Sequence, residues 1–163
     1  MNAIALRQPG PALIVAGAKR VVVRVDEPPA GAVGRRIAIH ASLDLRDLPL
    51  ATSEPFAELL EAAVARDALS LVDGALPRGA IVATATLKRC GPITASSVRE
   101  LRATMPIEFA ADTYRVGAFA WVLADVHRLL EPVACRGRLG VFAIDDSVLE
   151  FSATAPVREP VAA

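Results

Sequence analysis

The sequence is poor in the residues that build metal, redox and disulfide sites. It contains two cysteines, Cys90 and Cys135, and two histidines, His40 and His127, among 163 residues. Neither cysteine belongs to a C-x-x-C or Cys/His spacing, and the histidines are too scattered to predict a metal site. We therefore expect no cofactor. The N-terminus does not resemble a signal peptide, so we expect reduced thiols and a cytoplasmic protein.

The chain also lacks an excess of charge and long apolar runs. It has 18 basic and 18 acidic residues, so no overall field attracts it to nucleic acid or to an anionic membrane. No apolar run approaches the roughly 20 residues of a membrane-spanning helix, and we expect no membrane partner. Apolar residues make up 53% of the chain, enough for the core of one domain at this length. The oligomeric state stays open.

The charge is nevertheless unevenly distributed along the chain. Residues 1–42 contain six basic and two acidic residues, a net charge of +4, which leaves −4 for the remainder. The basic residues are Arg7, Lys19, Arg20, Arg24, Arg35 and Arg36. Since a chain of zero net charge can bind nucleic acid only through a local patch, this N-terminal patch is the candidate.

The hydrophobic pattern predicts about six short strands and two or three helices. The predicted strands are 4–6, 19–24, 37–41, 80–87, 119–130 and 141–144, and the predicted helices are 12–16, 53–67 and 96–102. Hairpins between neighbouring strands, interrupted by helices, favour an α+β fold with a small, partly closed barrel. We expect one domain over residues 1–150 and a flexible C-terminal tail over residues 151–163, which contains two prolines.

Strand 19–24 carries most of the chemistry that the sequence offers. Its alternation puts Arg20, Val22 and Arg24 on one face and the valines at 21, 23 and 25 on the other. We expect those three valines to face the core and the guanidinium groups to face a cleft or water. Lys19 stands where the first helix, ended by Gly17, meets this strand.

Several motifs in order along the chain point to a family. They are Gln8-Pro9, Gly17-Ala18-Lys19, Arg24 and Arg36-Ile37-Ala38-Ile39-His40-Ala41-Ser42, followed by stretches at 76–82, 114–123 and 137–142. Over roughly residues 4 to 144 the chain resembles an ASCH domain, a branch of the PUA-like superfamily. The resemblance implies an α+β fold, a small PUA-like mixed β-barrel of about five to six strands with two to three flanking helices. It also implies a basic cleft between the first helix and the following strand.

The resemblance further implies a ligand class. ASCH-type modules bind RNA, DNA or a modified nucleoside, and some relatives hydrolyse acetylated cytidine or cleave RNA. Our leading hypothesis is a module that binds RNA or single-stranded nucleic acid. The candidate binding residues are Gln8, Lys19, Arg20, Arg24, Arg36, His40, Ser42 and Tyr114. Lys19 is a catalytic candidate only if the protein is a hydrolase of RNA or of a modified nucleoside.

The chain departs from the hydrolase pattern of that family at two positions. In that pattern a threonine follows the lysine, and this chain has Arg20 there. The pattern has a glutamate or threonine two positions before the arginine, and this chain has Val22 there. Because valine can neither accept nor donate a proton, the polar pair is incomplete on this strand. Glu108 and Asp112, in a predicted loop, could supply the missing acid. The family's tryptophan after Gln-Pro is replaced by Gly10, which removes a stacking surface.

Other interpretations stay open for these residues. Lys19 could be solvated at a helix end, Arg24 could pair with an acidic neighbour in the next turn, and Gln8 and His40 could be buried for structural reasons. Tyr114 is the candidate for an exposed stacking ring, whereas the single tryptophan is expected in the core. A protein-interaction domain that uses the helix at 56–67 is a further alternative, and internal salt bridges that neutralise the N-terminal patch would favour it.

Overall fold

The computed structural model of the chain describes residues 1–158. A curled sheet of seven strands forms a half-barrel, and four α-helices flank it, which confirms the predicted α+β fold with a small, partly closed barrel. The strands are β1 (Asn2–Leu6), β2 (Val21–Arg24), β3 (Arg36–Ala41), β4 (Ala80–Pro92), β5 (Phe119–Ala134), β6 (Val141–Ala143) and β7 (Thr154–Pro156). The helices are α1 (Gly10–Val15), α2 (Phe56–Ala65), α3 (Ala95–Thr104) and α4 (Pro106–Ala110), with short 3-10 turns at Leu48–Thr52 and Asp146–Leu149.

The strand order is β2-β5-β4-β3-β1-β6, and β7 also pairs with β5. β1 and β3 are parallel, because α1 and β2 intervene between them, and the other pairs are antiparallel. The long strand β5 pairs with β4 on one side. On its other side β2 covers the first part and β7 covers residues 127–129. The first helix, α1, contacts β3, β4 and β5, so it packs across one face of the sheet.

The core lies on both faces of β3. Ile37 and Ile39 belong to the larger apolar cluster, which α1 and α2 complete with side chains such as Leu13 and Leu60. Ala38, between them, faces a smaller cluster on the opposite side of the sheet. This strand is therefore buried on both faces. Full burial of an isoleucine or leucine of this kind contributes about 1.5–3 kcal/mol.

Strand β2 alternates as predicted, but the assignment of its faces was wrong. Val22 is 1% exposed and lies opposite Trp121 in the core, whereas Val25 is 59% exposed and the two other valines are half-buried. Because apolar side chains occur on both faces of this strand, alternation alone does not decide which face turns inward. The expectation of Trp121 in the core is confirmed, and its indole Nε1 donates to the Asp26 carbonyl.

The C-terminal residues and the segment before β5 also differ from expectation. β7 lies in the predicted flexible tail, and its pairing with β5 is extended by the Val157 N–H, which donates to Val126 O. An unpaired stretch of the long strand β5 is available there, which explains the pairing. Residues 159–163 of that tail lie outside the described residues. A proline begins α4, which the sequence assigned to a loop. Within residues 1–158, no helix combines the length and apolarity that crossing a membrane requires.

Candidate functional site

A cleft of about 1370 Å³ opens where the sequence placed one, beside α1 and β2. We call it the basic cleft. Its walls come from the ends of β1 and β3, from α1 and β2, and from loops around residues 43–50, 78–79, 110–115 and 134–140. Lys19 and Arg24 both line it.

The basic cleft has a positive lining. Seven basic and three acidic side chains line it, and the three acids are all ion-paired to Arg7 or Lys19. The remaining basic side chains form no ion pair within residues 1–158: Arg24, Arg78, Arg115, Arg136 and Arg138. All but Arg24 are exposed. Five uncompensated guanidinium groups around one concavity form a surface suited to a multiply charged anion.

Most of these arginines were not among the sequence-predicted site residues. Arg78, Arg136 and Arg138 each adjoin a glycine of a turn, and Arg115 precedes Gly117 by two residues. The sequence signal that could have indicated them is an arginine within two residues of a turn glycine, which occurs in three separate segments. Because these loops are distant in sequence, only the closure of the sheet brings them to the same cleft.

Lys19 lies at the wall of the cleft inside a buried polar cluster. Its ammonium Nζ is 2.9 Å from an Asp112 carboxylate oxygen and 3.5 Å from a Glu108 oxygen. Its side chain is 3% exposed. The Tyr114 hydroxyl donates to Glu108 over 2.9 Å. Burial, followed by the negative charge of Glu108, raises the pKa of Tyr114, so the phenol keeps its proton.

The same two carboxylates cover the free edge of β2. Glu108 accepts hydrogen bonds from the backbone N–H groups of Arg20 and Val21, and Asp112 accepts one from Val23. Carboxylate oxygens thus take the place of the carbonyl groups that a neighbouring strand would present. The acidic residues that the sequence offered as a possible proton source do lie at Lys19, and they also hold α4 against the sheet.

His40 and Ser42 lie at the other wall, where β3 ends. His40 is 2% exposed, its Nε2 is 2.9 Å from the carbonyl oxygen of Cys135, and its ring meets Phe142 edge-on. A Cβ atom at Gly137 would lie 2.3 Å from Cε1 of this ring, so only glycine fits there. The imidazole is therefore held between a carbonyl and the backbone of the loop that carries Arg136 and Arg138.

Four of the eight candidate residues do not line the cleft. Gln8 is fully buried and bonds Pro77 O and Ala12 N, and Arg20 donates to the carbonyls of residues 14, 19 and 158. Arg36 lies at the opposite end of β3, where it bonds Asp125 and a threonine hydroxyl. Tyr114 is not the exposed stacking ring that was expected, because it is half-buried against Phe109 and bound to a carboxylate.

The N-terminal patch is thus partly neutralised. Arg7, Lys19 and Arg36 are all ion-paired. The expected alternative of an ion pair between Arg24 and the following acidic turn is not formed. Among the described residues, no group of three or more His, Cys, Asp and Glu side chains is arranged to hold a metal ion.

Comparison with known proteins relates this geometry to a fold. No family model matches the sequence, and no curated protein matches it either. Among solved structures, the crystal structure of ASCH from Zymomonas mobilis shares 16% identity with a TM-score of 0.53, covering 93% of this chain and 95% of that one. A tyrosine-to-phenylalanine mutant of the same protein gives a TM-score of 0.55 at 15% identity and covers 93% and 98%. The chain therefore has the ASCH fold, as its ordered motifs predicted.

Proposed function

We propose that this chain is a nucleic-acid-binding module whose ligand is RNA. It holds the phosphate backbone of the RNA in the basic cleft. The observation that carries the proposal is the set of five arginines around the cleft that no acid of the described chain neutralises. A planar guanidinium can donate two parallel hydrogen bonds to a phosphate, which makes arginine well suited to this contact. Contacts of this kind position the ligand without reading its sequence.

A protein partner is the weaker alternative. Ion pairs neutralise three of the six basic residues of the N-terminal patch, which favours a protein partner in that region. The cleft itself keeps its positive charge, because Arg78, Arg115 and Arg138, from three separate loops, form no ion pair within residues 1–158. Exposed apolar side chains at the rim, Leu43 and Leu139, can pack against either nucleobases or a partner.

The test is binding of a fluorescent 12-nucleotide single-stranded RNA, measured by anisotropy over a series of salt concentrations. The double variant Arg136→Gln and Arg138→Gln removes two guanidiniums from an exposed loop, and Arg99→Gln on α3, outside the cleft, is the matched control. We expect the slope of log K against log salt to fall by about 0.7 for each lost contact. Affinity and slope in the control should match the wild type.

Two results would contradict the proposal. One is the absence of RNA binding by the wild type at low salt. The other is an equal loss of affinity in the cleft variant and in the control.

The Lys19 cluster favours a second candidate, hydrolysis of RNA or of an acetylated nucleoside. Lys19 and Asp112 both line the cleft and lie 2.9 Å apart, so a cation and a carboxylate meet at one wall. General acid-base chemistry requires such a donor and acceptor within reach of one ligand.

Release of acetate from acetylated cytidine and cleavage of short RNA would measure this activity. Asp112→Asn is the informative variant, since its side chain is partly exposed and Glu108 keeps its own contacts with Lys19. Turnover that this variant abolishes would support a hydrolase. Absent turnover, or turnover that Asp112→Asn leaves intact, would remove the candidate.

A further inference from the structure

Two buried polar atoms at the wall of the basic cleft opposite Lys19 have no partner in the described chain. They are Nδ1 of His40 and Oγ of Ser42, and no other buried side-chain nitrogen or oxygen of residues 1–158 shares this condition. Both residues line the cleft. Because a buried polar group without a hydrogen bond destabilises the fold, such groups call for a functional explanation.

The two atoms belong to residues two apart, at the end of β3 and just beyond it. The backbone N–H of Ser42 donates to Leu6 O over 2.8 Å, which continues the pairing of β3 with β1 beyond Ala41. Residues two apart in an extended chain project to the same side. His40 and Ser42 therefore present their side chains to the cleft together.

The hydrogen-bonding capacity of the imidazole is fixed by its surroundings. Nε2 lies 2.9 Å from the carbonyl oxygen of Cys135, and a carbonyl can only accept, so Nε2 carries the hydrogen. In the neutral ring Nδ1 then has a lone pair and accepts. The ring cannot turn freely, because the backbone of Gly137 lies against it. The hydroxyl of Ser42, two residues further along the chain, can both donate and accept.

We propose that this His40–Ser42 pair binds a ribose 2′-hydroxyl and makes the cleft selective for RNA over DNA. A hydroxyl matches both partners, since it can donate to Nδ1 and accept from Oγ. A phosphate oxygen matches less well, because it only accepts and would face the lone pair of Nδ1. The 2′-hydroxyl is the group that distinguishes RNA from DNA.

The rest of the cleft leaves little else to discriminate between the two nucleic acids. Among the described residues that line it, the only phenyl, phenol or indole ring is that of Phe56, which is 3% exposed. The cleft therefore lacks the exposed rings on which single-strand binders stack bases. Arginine contacts to phosphate are common to RNA and DNA. Sugar recognition by the His40–Ser42 pair is the remaining source of selectivity, and this inference rests on the proposed nucleic-acid binding.

The experiment compares four single strands of identical base sequence, written with uracil throughout: RNA, DNA, 2′-fluoro RNA and 2′-O-methyl RNA. Anisotropy titrations at one low salt concentration give the four affinities. We expect the wild type to bind RNA about three- to tenfold more tightly than DNA, which corresponds to about one net hydrogen bond. The 2′-fluoro strand, which cannot donate, should bind like DNA.

Variants assign the preference to the pair. Ser42→Ala removes an atom without a protein partner, so it should fold normally and lower the RNA-to-DNA affinity ratio about two- to threefold. Ser70→Ala, outside the cleft, is the matched control and should keep the ratio. His40→Phe should bring the ratio close to one. If that buried substitution prevents folding, Ser42→Ala and the modified strands still decide.

The outcomes separate this inference from the proposed function. Equal affinity of the wild type for RNA and DNA overturns ribose recognition but leaves nucleic-acid binding in place. A preference for RNA that Ser42→Ala and the 2′-fluoro strand do not reduce overturns the role of this pair. Absence of binding to any of the four strands overturns both.

Discussion

The substitution Glu108→Gln tests whether the buried cluster beside Lys19 holds the cleft wall together. One carboxylate oxygen accepts from Lys19 Nζ, Val21 N and Tyr114 OH, and the other accepts from Arg20 N. The least costly orientation of a glutamine keeps its carbonyl oxygen toward the three donors. Its amide nitrogen then faces the N–H of Arg20, so at least one buried backbone donor loses its acceptor.

That geometry sets the expected magnitude. A buried donor without an acceptor costs about 1–3 kcal/mol. Removing one partner of a buried ion pair costs about 3–5 kcal/mol, but here Asp112 still faces Lys19 and reduces the loss. We therefore expect the free energy of unfolding to fall by about 3 kcal/mol in total. That is a large share of the roughly 5–15 kcal/mol by which single domains are stable.

Urea denaturation followed by tryptophan fluorescence measures this loss, because the chain has one tryptophan and it is buried in the core. Glu100→Gln on the exposed surface of α3 is the matched control and should change stability by about 0.5 kcal/mol or less. Adding Lys19→Met to Glu108→Gln should cost less than the sum of the two single substitutions. A loss below about 1 kcal/mol for Glu108→Gln, with an unchanged m value, would refute the reasoning.

Three further predictions follow from individual contacts. Gly137→Ala should destabilise the protein by about 1–3 kcal/mol, because the new Cβ would overlap the imidazole of His40. Gly91→Ala, which has open space around it, should cost about 0.5 kcal/mol or less, and thermal denaturation of the two variants compares them. Because the pKa of Tyr114 is raised in the folded state, the contribution of its protonated phenol to stability is complete below about pH 10 and is lost as the pH rises further. Tyr114→Phe should therefore reduce the fall in the free energy of unfolding at alkaline pH, measured by urea titrations. Arg36→Ala should leave RNA affinity unchanged, in contrast to Arg24→Ala, because only Arg24 lines the cleft.

The candidate site was half predictable from the sequence. Lys19, Arg24, His40 and Ser42 do line a concavity, as the motif-based resemblance implied. Their partners could not be read from the chain. The ion pair between Lys19 and Asp112 joins residues 93 positions apart, and no local pattern indicates such a contact. The burial of residue 20 against carbonyl oxygens was likewise not accessible to an argument from alternation.

The amino-acid sequence by itself determined the composition of the core, the sequential position of most strands and helices, and the order of motifs that carries the ASCH fold. These properties follow from local periodicity and turn chemistry, which neighbouring residues specify. The tertiary structure alone decided which face of β2 is buried, which cations are neutralised, and which loops supply the positive charge of the cleft. Each of these depends on contacts between distant segments, and only the curled sheet brings those segments together.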